Sequence, residues 1–150
     1  MAAPVCPLCD GPGGDLVFAG TLFRVIRTDE GGFPAFYRLV WNRHVRELSD
    51  LPAAERRLCL EGVVAIETAL RSHLHPAKVN LASLGNAVPH LHWHVIARFE
   101  WDSHFPAPVW SAAVRQAPQE ELARVISARP ALEAELATRM KVLDAGQNQG

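Results

Sequence analysis

Three imidazoles stand at alternate positions in "LGNAVPHLHWHVIAR", residues 84–98: His90, His92 and His94, with Leu91, Trp93 and Val95 between them. In a β-strand successive side chains point to opposite faces, so this spacing puts the histidines on one face, about 7 Å apart, and the apolar residues on the other. Three chemistries fit such a row. A half-buried strand can simply turn polar residues outward, although three histidines from a chain that has only seven make a poor accident. A His-x-His pair can chelate a catalytic metal, which calls for a further converging ligand, and the segment contains no Asp or Glu. Neutral imidazole can also attack phosphorus, forming a phosphoramidate that water cleaves in a second step.

A second group with chemical potential is Cys6-Pro7-Leu8-Cys9. It can be a redox pair, half of a zinc site, or two free thiols. The polar, glycine-rich "DGPGGD" that follows argues against the helix on which redox pairs of this spacing usually sit, and zinc would need two more ligands from elsewhere. The third cysteine, Cys59, falls on an apolar helical stripe and reads as core.

The elements that must position these residues follow from periodicity. Residues 22–28, "LFRVIRT", and 36–41, "FYRLVW", read as consecutive antiparallel strands. From Pro52 to about His73 the period changes, with Cys59, Val63, Ile66, Leu70 and Leu74 on one face of a helix that stops before Pro76. His73 and His75 fall at its end, where solvent or the helix dipole accounts for them. Residues 77–85 and 89–99 read as two further strands, and residues 10–16 as a turn. After Pro118 a helical pattern resumes, breaks at Pro130, and continues through Leu132, Leu136, Met140 and Leu143. Together these predict an α+β fold: an antiparallel sheet of about five strands, one long helix against a face, and extra C-terminal helices.

The 150 residues suit one domain, 1–150, with a core at about 6–100 and a helical extension at about 101–143. A composition of 49% hydrophobic and 21% charged residues, with net charge −1, is that of a soluble globular protein. No basic run suggests a nucleic-acid polymer as partner. No apolar stretch approaches the roughly 18 residues that span a bilayer. Three cysteines and no leader pattern point to the cytoplasm.

The segment His90-Leu91-His92-Trp93-His94-Val95-Ile96 is similar to the signature of the histidine triad family of nucleotide hydrolases and transferases. The resemblance extends upstream through "VNLASLGNAVP" and "RLVWNRHVRELSDL" and downstream to Arg98. It implies a HIT-like fold, a homodimer, and a nucleotide substrate attacked at its α-phosphate by the middle histidine, His92. A backbone carbonyl would fix the reactive tautomer of that ring. His94 and Asn86 match positions that contact the phosphate, and Asn80 one in the wall of the site. It further implies that catalysis requires no metal, while Cys6, Cys9, His44 and His90 match the ligands of a structural zinc found in some members. A histidine rather than glutamine at position 94 favours the hydrolase branch over nucleotidylyltransferases. Asn86-Ala87 replaces a common Gln-Ser, Trp41-Asn42 a common Pro-Lys, and Ala97 a frequent proline. These departures bear on the substrate, which spans dinucleoside polyphosphates such as diadenosine tetraphosphate and phosphoramidate or adenylate adducts. Trp110 and its neighbouring prolines either rim the pocket or cap the core.

Overall fold

The computed structural model describes residues 5–30 and 32–146. Five strands form one antiparallel sheet in the order β1-β2-β3-β5-β4: β1 Asp15–Ala19, β2 Phe23–Glu30, β3 Phe33–Trp41, β4 Lys78–Ala82 and β5 His92–Arg98. The helices are α1 Pro7–Asp10, α2 Ala53–Leu74 and α3 Gln119–Ala145. Among the described residues no helix is long and apolar enough to cross a membrane.

The β2–β3 pairing runs almost the full length of both strands, from Phe23 opposite Trp41 to Glu30 opposite Phe33, so β3 is central and buried at most positions. Alternation along β3 and β5 sorts the sheet into two faces. Tyr37, Leu39 and Trp41 with Trp93, Val95, Ala97 and Phe99 face the helices, where they join Cys59, Val63, Ile66, Leu70, Val125, Leu132, Leu136 and Met140 in the main core. Gly62 permits this contact, because a Cβ there would lie 2.4 Å from Leu39 Cδ1. The opposite face is flanked by two small apolar clusters. Leu8 of α1 covers Ile26 and Val40, while Phe33, Phe36 and Ile96 pack with Val109.

Helix α2 forms where the apolar stripe ran in the sequence. Pro52 caps its N-terminus and His75, in the left-handed region at φ 47°, terminates it before Pro76. Cys59 is fully buried and burial pushes its thiol up to about 11, as expected of an unreactive core residue. His73 does not end in solvent, since its ring is hydrogen-bonded to Glu135 of α3.

Three expectations need correction. Residues 15 and 16 belong to β1 rather than to a turn. The strand was hidden by the glycines before it, and it pairs with β2 through a bulge between Leu16 and Phe18. The helical pattern after Pro118 does not break at Pro130: α3 is one helix of 27 residues, in place of several. Proline removes one hydrogen bond from a helix interior, but Val125 before it and Leu132, Leu136 and Met140 after it are all fully buried, and this packing carries the helix across. Residues 101–118 are turns and loop instead of helix.

Candidate functional site: a histidine-lined sheet face joined to a Cys2His2 cluster

β5 begins at His92, so His90 lies just ahead of the strand, in a stretch held by hydrogen bonds from Leu91 N–H to the Val45 carbonyl at 2.7 Å and from Trp41 N–H to the Leu91 carbonyl at 3.1 Å. The alternation nevertheless extends back to His90, since Leu91 packs in the main core with Trp93 and Val95. His92 and His94 project from the sheet face opposite the helices, their rings 5.0 Å apart and edge to face. The His90 ring, 1% exposed, is turned into a separate cluster.

His92 is buried, and its Nδ1–H donates to the His90 carbonyl at 2.6 Å. That leaves the lone pair on Nε2. Burial lowers the affinity of this ring for a second proton, the carbonyl contact raises it, and the charge of Arg38 lowers it, with a net downward shift. His94 is held down to about 4 by burial first, then by Arg38 and His92. Both rings are thus neutral at pH 7.

Arg38 was not singled out by the sequence. It stands on β3 directly opposite His94 on β5, and its Nε–H donates to His94 Nδ1 at 3.2 Å. The far end of the guanidinium meets Glu30 at 2.6 Å, and its carbon sits 5.3 Å from the Phe36 ring centroid. Beside it opens a groove of about 320 Å³, lined by Arg27, Thr28 and the carboxylates Asp15, Asp29 and Glu30. Thr28 Oγ1, in a residue 7% exposed, has no hydrogen-bond partner among the described residues.

Asn80 and Asn86 make no hydrogen bond to the histidines among the described residues. Asn80 sits on β4 opposite Ile96, and its side-chain oxygen accepts from Arg98 Nη1 at 2.9 Å. Asn86 is exposed in the turn that Gly85, at φ 77°, initiates ahead of His90. Trp110 is 64% exposed and so does not cap the core.

Cys6, Cys9, His44 and His90 form the second constellation, with one ligand atom from each lying within 4.8 Å of every other. α1 begins at Pro7, so its single turn brings the two thiols to one side. Cys6 Sγ and Cys9 Sγ approach His90 Nδ1 at 3.4 and 3.5 Å, and Cys9 Sγ approaches His44 Nδ1 at 3.3 Å. Bond lengths of about 2.3 Å to sulfur and 2.0–2.1 Å to nitrogen make ligand atoms on a tetrahedral zinc roughly 3.6 Å apart, close to these separations. His90 Nε2–H donates to the Trp41 carbonyl at 2.5 Å, which leaves Nδ1 free for a metal and orients the ring in the manner of metal-bound histidines. The donor set fits a closed tetrahedral zinc site.

The HIT domain profile matches residues 14–101. The chain belongs to the histidine triad family. Its fold is shared by a histidine triad protein from Bradyrhizobium japonicum, 28% identical with a TM-score of 0.65, covering 81% of this chain and 91% of that one. It is shared equally by a histidine triad protein from Marinobacter aquaeolei VT8, 28% identical with a TM-score of 0.64, covering 82% and 92%. A Zn-bound histidine triad family protein from Mycobacterium smegmatis, 21% identical with a TM-score of 0.53, covers 87% of this chain and 96% of that one. No curated protein matches the sequence.

Proposed function

We propose that this protein is a hydrolase of nucleotide phosphoanhydrides or phosphoramidates that works through a nucleotidyl-histidine on His92. The observation that carries the reading is the tautomer of that ring: a carbonyl 2.6 Å away accepts the Nδ1–H hydrogen bond and leaves Nε2 as a neutral nucleophile. In the first step the Nε2 lone pair forms a bond to the α-phosphorus. The bond from phosphorus to the leaving oxygen or nitrogen breaks with its electron pair, and the leaving atom takes up a proton. In the second step water adds to the same phosphorus, the P–N bond returns its pair to Nε2, and a nucleoside monophosphate is released.

His94 faces the same space and would donate to the phosphoryl oxygens as charge builds there, the larger part of catalysis in phosphoryl transfer. His90 contributes the carbonyl that orients His92. Asn86, in its exposed turn, would close on the phosphate with substrate bound, and Asn80 would hold the wall through Arg98. The four-residue cluster would hold zinc as a structural ion that fastens the N-terminal turn to the sheet. The zinc carried by the mycobacterial relative supports this assignment. Leu60 and Val64 on α2 and Leu81 on edge strand β4 are exposed apolar residues, and they support a homodimer through helix and strand edge. Its compartment would be the cytoplasm and its catalysis independent of metal.

The test is turnover by wild type and His92→Ala on diadenosine tetraphosphate, an adenosine phosphoramidate and a nucleoside diphosphate sugar, with and without chelator. Chelator-resistant hydrolysis that the variant loses is the expected result, and the preferred substrate names the leaving group. Tight nucleotide binding without turnover would instead make the protein a nucleotide-binding regulator, and transfer to a sugar phosphate a nucleotidylyltransferase.

A further inference from the structure

The proposed reaction needs His94 to present an N–H to the phosphoryl group, yet an isolated imidazole carries its proton on either nitrogen. Arg38 removes that freedom. A guanidinium has donors only, so the ring nitrogen that receives Arg38 Nε–H at 3.2 Å must offer a lone pair. In a neutral ring the proton then resides on Nε2.

Arg38 is itself fixed from three sides. The β3–β5 register sets it opposite His94, Glu30 Oε1 holds Nη2 at 2.6 Å, and the Phe36 ring lies under its carbon at 5.3 Å. His94 stands edge-on to that same Phe36 ring at 5.5 Å, so one aromatic side chain seats both partners. The Arg38 side chain is 18% exposed while that of Glu30 is 52% exposed, which makes the acid a screened tether rather than a neutraliser.

Resting on the hydrolase reading above, we propose that Arg38 is the positioning residue that locks His94 as an Nε2–H donor toward the phosphoryl oxygens. The role needs the planar fork of arginine: Nε reaches His94 while Nη2 holds Glu30, and a lysine ammonium at the same place can serve only one of them.

The test combines turnover with nitrogen-15 NMR of the ring nitrogens of His94 in the full-length protein at pH 7. In wild type the proton is on Nε2. In Arg38→Met, which keeps the apolar stem over Phe36, it should spread over both nitrogens. kcat on the best substrate should fall by about tenfold to a hundredfold, with KM changing far less, because binding persists while the donor is misaligned. Arg38→Lys keeps the charge, but its ammonium is drawn to the Glu30 carboxylate and leaves His94 Nδ1 without a donor, so it should show the same kcat loss and the same mixed tautomer. Wild-type kcat in Arg38→Lys, or an unchanged His94 tautomer in either variant, overturns the assignment. Failure of the hydrolase reading itself shows separately, as turnover that survives His92→Ala. The ring-nitrogen spectra decide the role of Arg38 in that case as well.

Discussion

Replacing Asp102 by alanine should cost this protein more stability than its place in a surface loop suggests. Asp102 is 1% exposed and its partner Arg98, the last residue of β5, is 2% exposed. The carboxylate accepts Arg98 Nε–H at 2.8 Å and Nη2–H at 3.0 Å, and also the backbone N–H groups of Phe99, His104 and Phe105 at 3.1, 3.0 and 2.7 Å. Arg98 keeps only Asn80 and the Ala107 carbonyl when the acid is gone, and three backbone donors lose their acceptor. Breaking a buried pair by removing one partner costs about 3–5 kcal/mol, because the remaining charge is uncompensated. In a chain of this size each kcal/mol moves the midpoint by about 2–4 °C, so Asp102→Ala should melt roughly 10 °C below wild type. The assay is thermal unfolding by far-ultraviolet circular dichroism at pH 7. Arg98→Met/Asp102→Leu, which removes both charges, should be more stable than Asp102→Ala. An Asp102→Ala melting point within about 3 °C of wild type, or a double variant less stable than the single, would refute the reasoning. The pair also predicts an acid limb. Burial pushes the Asp102 carboxyl up, but the Arg98 hydrogen bond and the backbone donors outweigh it and leave it below its ordinary 3.8. The folded state therefore binds this proton less readily than the unfolded chain. Its stabilisation is complete above pH 3.8 and is lost as the pH falls through the lower folded value.

Four further outcomes are expected. His94→Ala should slow turnover by the equivalent of roughly 2–4 kcal/mol, the worth of one preorganised donor, and an unchanged kcat would remove it from the reaction. The folded His94 value of about 4 lies below its ordinary 6.5, so protons favour unfolding between those pH values. Wild type should lose stability across that range more steeply than His94→Gln in urea titrations. Cys9→Ser should bind less than one zinc per chain by metal analysis and melt earlier, while His92-dependent turnover persists at low temperature. Pro130→Ala should stabilise the fold by up to about 3 kcal/mol and so raise the melting point, because it restores an N–H to the middle of α3; a lower midpoint would mean that the proline fits a bend the core requires.

The elements carried by period were legible in the sequence. The alternation of His92-Trp93-His94-Val95 follows from a strand with one apolar face, and the five-residue stripe of α2 from burial against a sheet. What escaped depends on contacts between distant residues. Arg38 lies in "FYRLVW", where one charge among apolar neighbours reads as a solvent-facing strand position. Only the pairing of β3 with β5 reveals that its neighbour is His94. His90 keeps the alternation, with Leu91 in the core, but its meeting with Cys6, Cys9 and His44 joins residues too distant in sequence for periodicity to show. β1 is short and follows a glycine run, so local propensity understated it. The proline in α3 overstated a break that tertiary packing overrides. The Arg98–Asp102 pair, buried as the anchor of the loop after the triad, had no signal in the sequence beyond two charges four residues apart.

Helix α3 also dictates when this protein can finish folding. Val125, Leu132, Leu136 and Met140 are integral to the main core, and Asp144 accepts a hydrogen bond from Thr21 N–H at 2.9 Å across 123 residues of sequence. A chain emerging from the ribosome can pair its strands and lay α2 on β3, β4 and β5, but the helix-facing side of β1 and the part of β3 that α3 covers stay open until residues 119–145 arrive. Long-range closure of this kind slows folding and leaves apolar sheet surface exposed in the interim. During synthesis the histidine-bearing face can thus be complete before its own support is, and a nascent chain stalled ahead of α3 should be a substrate for chaperones rather than an enzyme in waiting.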